Sequence, residues 1–169
     1  MSVIEPSPHS KSKFQMSIAD ILVVDDDIAV CRIVHRMLSD MEYDIQTVHS
    51  IADALGAVEQ KSFDVYLLDY KLPNGSGLDV AERIRSKWGA TPIILISGYD
   101  PSAVALRAEK LGISEFLEKP FSREIICAAV KKALNSTKPA AELPLAAPAP
   151  VSGPTRPRFW QRRAKRPAS

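Results

Sequence analysis

Cysteine is scarce in this chain, and its scarcity excludes whole classes of function. Only Cys31 and Cys127 occur among 169 residues. They lie too far apart for paired CxxC spacing and have no clustered histidine beside them, so a zinc site is not expected. Both are expected to be small, buried, reduced residues on helices. Long apolar runs are absent as well. None approaches the roughly 18 residues of a membrane-spanning helix, and the N-terminus has no signal-peptide core. A soluble, cytoplasmic protein with no transmembrane segment is expected. There is no internal repeat, no helix-turn-helix pattern and no second apolar core. His35 and His49 read as exposed helix or strand ends, and His9 carries no signal.

Charge of one sign is short overall, but not locally. The net charge of +2 conceals an excess of five acidic groups over residues 19–135 and an excess of six basic groups over 136–169. Residues 1–18 mix Ser, Pro, Lys and His without apolar periodicity and read as a disordered leader. Residues 136–155 are mostly Pro, Ala, Ser and Leu, a linker unable to build a core. Residues 156–169 set Arg156, Arg158, Arg162, Arg163, Lys165 and Arg166 around Phe159-Trp160. The default for such a segment is a solvated, disordered tail. Nucleic acid, an acidic membrane surface or a protein docking site are its alternative partners.

Residues 19–135 carry the fold. Ile21–Val24 is an apolar strand that stops at Asp25-Asp26-Asp27. Ile28, Cys31, Val34, Leu38 and Met41 then recur at helical spacing. Tyr43–His49 alternates as a short strand, and Ser50 with Asp53 opens a helix to about Gln60. Phe63–Leu68 is a third strand, ending at Asp69. Turn chemistry follows in Pro73-Asn74-Gly75-Ser76-Gly77. Ser76 with Asp79 opens a helix that turns Leu78, Ala81 and Ile84 inward. Thr91–Ile96 is a fourth strand leading to Ser97-Gly98-Tyr99. Asp100-Pro101 caps the next helix, which Gly112 stops. Glu115–Glu118 is a fifth strand. A last helix from Ser122 to about Asn135 places Ile125, Ile126, Ala129, Val130 and Ala133 on its apolar side.

Five βα units in succession imply an α/β fold with a parallel sheet covered on both faces. Right-handed crossovers bring every strand's carboxyl end to one edge. Asp25, Asp26, Asp69, Ser97 and Lys119 all fall there, at the edge where open α/β sheets bind ligands. Asp25 or Asp26 alone could simply cap a helix, and Ser97 or Lys119 alone could be a turn residue or a solvated cation. Their convergence argues for a site. Three carboxylates at close range repel one another, and Mg²⁺, which favours oxygen ligands, relieves that repulsion. A carboxylate in such a setting can attack phosphorus and form an aspartyl-phosphate. Lys119 supplies an ammonium for the phosphoryl oxygens and Ser97 a hydroxyl.

Val23-Val24-Asp25-Asp26, Leu68-Asp69 with Leu72-Pro73 and Gly77, Ile96-Ser97-Gly98, and Phe116 with Lys119-Pro120-Phe121 together resemble the receiver domain of two-component response regulators. The resemblance spans about residues 19–135. It implies a flavodoxin-like (βα)5 doubly wound sheet with strand order 2-1-3-4-5. It also implies that Asp69 is the phospho-acceptor, charged by a sensor histidine kinase or a histidine phosphotransferase. Asp26, Asp69 and the Lys71 backbone carbonyl would bind Mg²⁺ directly, and Asp25 through water. Asp27, one place beyond the family's acidic pair, stays outside the metal site. Lys119 would contact the phosphoryl group, with the Lys119-Pro120 bond cis. Ser97 and Phe116 match the family's switch pair, which would alter the face made by the fourth helix, fifth strand and fifth helix (α4–β5–α5).

Such a protein is a signalling phospho-acceptor rather than an ordinary enzyme, able to catalyse its own phosphorylation from small donors and its own dephosphorylation. Its output would be partner binding through that face, onward relay, or homodimerisation on phosphorylation. The expected organisation is a receiver without a fused output domain. The alternative is a DNA-associated regulator that uses residues 156–169 on nucleic acid. A phosphatase of the aspartate-nucleophile type is disfavoured, because Lys71 stands where that class has a second Asp. Lys71 and Tyr99, each two residues beyond a site residue, flank the route of an attacking water. Replacing Tyr99 by Ala is expected to speed loss of the phosphoryl group, as followed by the decay of phosphorylated protein; an unchanged decay rate rejects that role.

Overall fold

The segments VYLLD and IILIS are buried at every position, and strands covered on both faces belong in the middle of a parallel sheet. That is where the computed structural model, which describes residues 17–98 and 105–137, puts them. Strands β1 (Ala19–Val24), β2 (Tyr43–Val48), β3 (Val65–Asp69), β4 (Ile93–Ser97) and β5 (Glu115–Glu118) form one parallel sheet in the order 2-1-3-4-5. A separate antiparallel ribbon pairs Lys71–Leu72 with Gly75–Ser76 just beyond β3. The leader through residue 16, Tyr99, the Asp100-Pro101 cap and everything past residue 137 lie outside the described residues.

Helices α1 (Ile28–Leu38), α2 (Ile51–Gln60), α3 (Gly77–Trp88), α4 (Ala105–Lys110) and α5 (Arg123–Thr137) follow the five strands in turn. Side chains on a strand point alternately to its two faces, and this divides the core in two. Leu22, Val24, Tyr66, Leu68, Ile93 and Leu95 face α2, α3 and Ala108 of α4. Ile21, Val23, Val65, Leu67, Ile94 and Ile96 face α1 and α5. Edge strand β2 alternates between half-buried and exposed residues from Tyr43 to Thr47.

Three helix starts are fixed by polar caps close behind strand ends. The Asp27 carboxylate accepts the Ala29 N–H at 2.8 Å, so this third aspartate is used by α1. Ser50 accepts from the Asp53 N–H at 3.1 Å. Ser76 and Asp79 form a reciprocal capping box at the start of α3. Such caps satisfy amide groups that have no partner within the helix.

Several expectations need correction. Regular α-helix stops at Leu38, and a 3-10 turn over Ser39–Met41 follows before Glu42, at φ 54°, swings the chain into β2. Ile28 and Ile125 are not on apolar faces; they are 53% and 51% exposed. Ile28 is the first residue of α1, one turn above the packed stripe of Cys31, Val34 and Leu38. Ile125 lies one residue, about 100° of helix, from Ile126, and only Ile126, Ala129, Val130 and Ala133 keep the i, i+3, i+4, i+7 spacing of one face. Cys31 is buried, but Cys127 is only half-buried.

Gly77 has a steric reason to be glycine. A Cβ there would lie 2.3 Å from the Asp69 carbonyl oxygen and 3.1 Å from Leu68 Cβ. The start of α3 therefore packs directly on the backbone of the strand end that carries Asp69.

Arg85 of α3 ties together two loops on the opposite side of the sheet edge. Its guanidinium donates to the carbonyls of Gly89 at 2.9 Å and Gly112 at 2.7 Å, and to those of Leu111 and Thr91. A guanidinium spreads five N–H donors over a rigid planar fork wide enough for four separated carbonyls, whereas an ammonium has three donors on a single atom. Arg85→Lys is expected to lower unfolding free energy by about 1.5–3 kcal/mol, read from urea denaturation. A midpoint equal to wild type would show that the four contacts are dispensable.

Candidate functional site

The carboxyl ends of β1, β3, β4 and β5 bring Asp25, Asp26, Asp69, Ser97 and Lys119 to one rim. Asp25 (3% exposed), Asp69 (6%) and Ser97 (2%) are the buried polar residues of the described chain. Asp26 is exposed. One carboxylate oxygen from each of Asp25, Asp26 and Asp69 lies within 4.8 Å of the others. The Lys119 ammonium sits between two of them, 2.7 Å from Asp25 Oδ2 and 2.8 Å from Asp69 Oδ1. A cleft of ≈ 450 Å³ opens above, lined by Asp26, Asp69, Lys71, Leu72, Pro73, Ser97, Gly98 and Lys119.

Backbone bonds hold the strand ends that carry Asp69, Ser97 and Lys119. Tyr70 N–H donates to the Ile96 carbonyl at 2.7 Å, and Gly77 N–H to the Tyr70 carbonyl at 2.9 Å, which frames Asp69 between β4 and α3. Lys119 N–H donates to the Ser97 carbonyl at 2.8 Å, and the Lys119-Pro120 bond is cis. Lys71 is exposed in the ribbon at the mouth of the cleft, paired with Ser76. Phe116, opposite Leu95 on β5, is 7% exposed and belongs to the core that includes Leu95 and Ala108. Its ring is thus packed inward here.

Burial is the largest influence on the Asp69 carboxyl and pushes its pKa up. The Lys119 ammonium opposes that rise, while Asp25 and Asp26 add to it. For Lys119, burial disfavours the charge, but hydrogen bonds to Asp25 and Asp69 outweigh it and the pKa is raised. Lys119 is an ammonium at any physiological pH. It leaves three carboxylates facing one cation, an excess of negative charge in a half-buried site. All the side-chain donors are oxygens, and hard divalent cations such as Mg²⁺ take that donor set. The residues present therefore fit Mg²⁺.

One contact was not legible in the sequence. His49, expected at an exposed end, is only partly exposed, and its Nδ1 lies 3.1 Å from the Asp25 carbonyl oxygen. Cys31 Sγ is 3.5 Å from the same oxygen. Burial, with Asp25 nearby, pushes the Cys31 thiol up to about 11, so it keeps its proton. Cys31 reaches Asp25 from the first turn and a half of α1, six residues on, but no spacing rule joins His49 to Asp25; the β1–β2 pairing does. His35 is exposed, as expected.

Comparisons with known proteins agree with this geometry. The chain is 34% identical over 131 residues to the transcriptional regulatory protein ZraR of Salmonella typhimurium, covering 77% of this chain and 30% of that one. It is 32% identical over 127 residues to the response regulator protein PilR of Pseudomonas aeruginosa, covering 75% and 28%. The chain thus spans less than a third of the length of these two relatives. Among solved structures, NtrX from Brucella abortus matches at TM-score 0.66 and 30% identity, over 73% of this chain and 28% of that one. The chemotaxis response regulator CheY4 of Vibrio cholerae matches at TM-score 0.65 and 26% identity, over 70% of this chain and 100% of that one. The model of the response regulator receiver domain matches residues 21–131, and the chain belongs to that family.

Proposed function

We propose that Asp69 accepts a phosphoryl group from a phosphohistidine on a sensor histidine kinase or histidine phosphotransferase, and that the α4–β5–α5 face carries the output. The observation that carries this reading is a buried carboxylate at a strand end, 2.8 Å from a lysine ammonium and beside two further aspartates. In the transfer, an Asp69 carboxylate oxygen attacks phosphorus. The Oδ–P bond forms, the N–P bond to the donor breaks, and the electron pair leaves with the donor imidazole, which takes up a proton. A raised pKa makes the Asp69 carboxylate a more basic nucleophile.

Asp26, Asp69 and the Lys71 backbone carbonyl would hold Mg²⁺, with Asp25 acting through water. The bound ion supplies charge neutralisation for the carboxylates and the phosphoryl oxygens. Lys119, already at the site, pairs with a phosphoryl oxygen once it arrives, and the Ser97 hydroxyl donates to another. Ser97 and Phe116 lie on adjacent strands, and Phe116 packs with Ala108 of α4, so a change at Ser97 has a short packed route to α4. Leu106 on α4 and Ile125 on α5 are 67% and 51% exposed, which suits a face that docks a partner or a second copy. Cys31 and Cys127 are free thiols, which suits the cytoplasm. Hydrolysis of the aspartyl-phosphate by water in the cleft, catalysed by the same groups, would reset the protein.

The first test is incubation with acetyl phosphate and Mg²⁺ followed by intact mass. Wild type is expected to gain one phosphoryl group, with no gain in Asp69→Asn or when Mg²⁺ is chelated. Modification that persists in Asp69→Asn would move the acceptor elsewhere. If neither acetyl phosphate nor a phosphohistidine donor modifies the wild type, the reading fails.

Stability gives an independent check on the acid cluster. A carboxyl whose pKa is raised in the fold contributes stability below its unfolded value, about 4, and loses it as pH rises through the folded value. At neutral pH an ionised Asp69 is therefore a cost. Without Mg²⁺, Asp69→Asn is expected to melt higher than wild type by on the order of a few degrees. The gap should close as pH falls toward about 4. Mg²⁺ should raise the wild-type Tm and affect the variant less. A variant that melts lower at neutral pH would mean that the Lys119 pairing outweighs the burial of Asp69.

A further inference from the structure

We propose that His49 is a positioning residue for the acidic pair. Its imidazole Nδ1–H holds the Asp25 carbonyl and so fixes the peptide that links Asp25 to Asp26. The inference rests on the reading of the site given above and adds a residue to it.

The β1–β2 ladder pairs Val24 with Val48 and runs one step further, with Asp25 N–H donating to the Val48 carbonyl at 3.2 Å. In a continuing parallel pair the Asp25 carbonyl would meet a backbone N–H two residues beyond Val48. But β2 ends at Val48, and Ser50 is the N-cap of α2. The His49 side chain supplies the donor at this point, with Nδ1 at 3.1 Å. A carbonyl can only accept, so this contact is a hydrogen bond in the tautomer that has its proton on Nδ1; the Cys31 Sγ also lies 3.6 Å from that nitrogen. The Cys31 thiol reaches the same oxygen from α1 at 3.5 Å, and a carbonyl has two lone pairs to share. The peptide is gripped from β2 and from α1.

The consequence falls on the two carboxylates. The peptide plane after Asp25 sets the directions in which Asp25 and Asp26 leave the backbone. Asp25 turns into the interior to meet Lys119 at 2.7 Å, and Asp26 lines the cleft. Cation sites tolerate little error in the placement of their ligands, and hydrogen bonds behind the ligands commonly govern affinity. His49 also borders a cavity of ≈ 350 Å³ lined by Ile28, Cys31, Arg32, His35 and Thr47. Its ring can therefore be replaced without overpacking the core.

Two substitutions separate the donor from the ring. His49→Asn keeps an N–H bonded to Cγ, in the place of Nδ1, but has no ring. His49→Phe keeps a ring and has no donor. Mg²⁺ affinity of the full chain is measured by isothermal titration, with Tm and the acetyl phosphate rate recorded in parallel. His49→Phe is expected to weaken Mg²⁺ binding about tenfold, and His49→Asn to stay within about twofold of wild type. Should His49→Phe not fold, His49→Ala takes its place with the same expectation. Wild-type affinity in the donor-less variant, or equal loss in His49→Asn, overturns the positioning role and leaves the reading of the site intact. A wild type that neither binds Mg²⁺ nor takes a phosphoryl group overturns both.

Discussion

The site depends on one ammonium shared by two carboxylates. Lys119 Nζ reaches Asp25 at 2.7 Å and Asp69 at 2.8 Å, and those three residues end three different strands. An ion pair taken out of water recovers little net stability, because desolvation opposes the Coulomb gain. The raised pKa of Asp69 expresses the same balance, since burial outweighs the lysine. A cluster that is costly when empty is one that a divalent cation or a phosphoryl group can reorganise. The arrangement suits a switch better than a structural staple.

The sheet makes this convergence possible. Lys119 follows β5, an edge strand, while Asp69 and Asp25 belong to β3 and β1, so the lysine must reach across the end of β4. Its backbone N–H is bonded to the Ser97 carbonyl at 2.8 Å, which ties the cation's own peptide to the strand it crosses. Gly77 permits α3 to press against the Asp69 carbonyl. Lys119 and Asp69 are thus held by backbone, not only by their partners.

An arginine on α4 ties that helix to α3. Arg107 of α4 pairs with Asp79 at 2.7 Å and Glu82 at 2.8 Å on α3. Asp79 is also the capping-box partner of Ser76 in the ribbon just beyond Asp69. Helix α4, with Ala108 as its buried residue among those described, is therefore connected to the acid site both through Phe116 and through this cap. Exposed pairs of this kind contribute little individually.

How much could be read in advance differs from residue to residue. The apolar runs ending in Asp69 and Ser97, the Ser-Asp caps of α2 and α3, and the alternation of strand and helix are local patterns. The five βα units were legible in the sequence by itself because period and capping are set by near neighbours. The rim of Asp25, Asp26, Asp69, Ser97 and Lys119 was legible because right-handed crossovers bring all strand ends to one edge. The strand order came from resemblance, since apolar runs do not say which strands are adjacent. Ile125 lies off the stripe that Ile126, Ala129, Val130 and Ala133 share, which helical period alone shows. Ile28, by contrast, keeps helical spacing with Cys31, and only tertiary structure left it facing solvent. Tertiary structure alone brought His49 onto the Asp25 carbonyl, a contact made by strand pairing across 24 residues of chain. And it alone set the Lys119 ammonium between two carboxylates, because an ion pair across 94 residues forms only once the sheet has closed the distance.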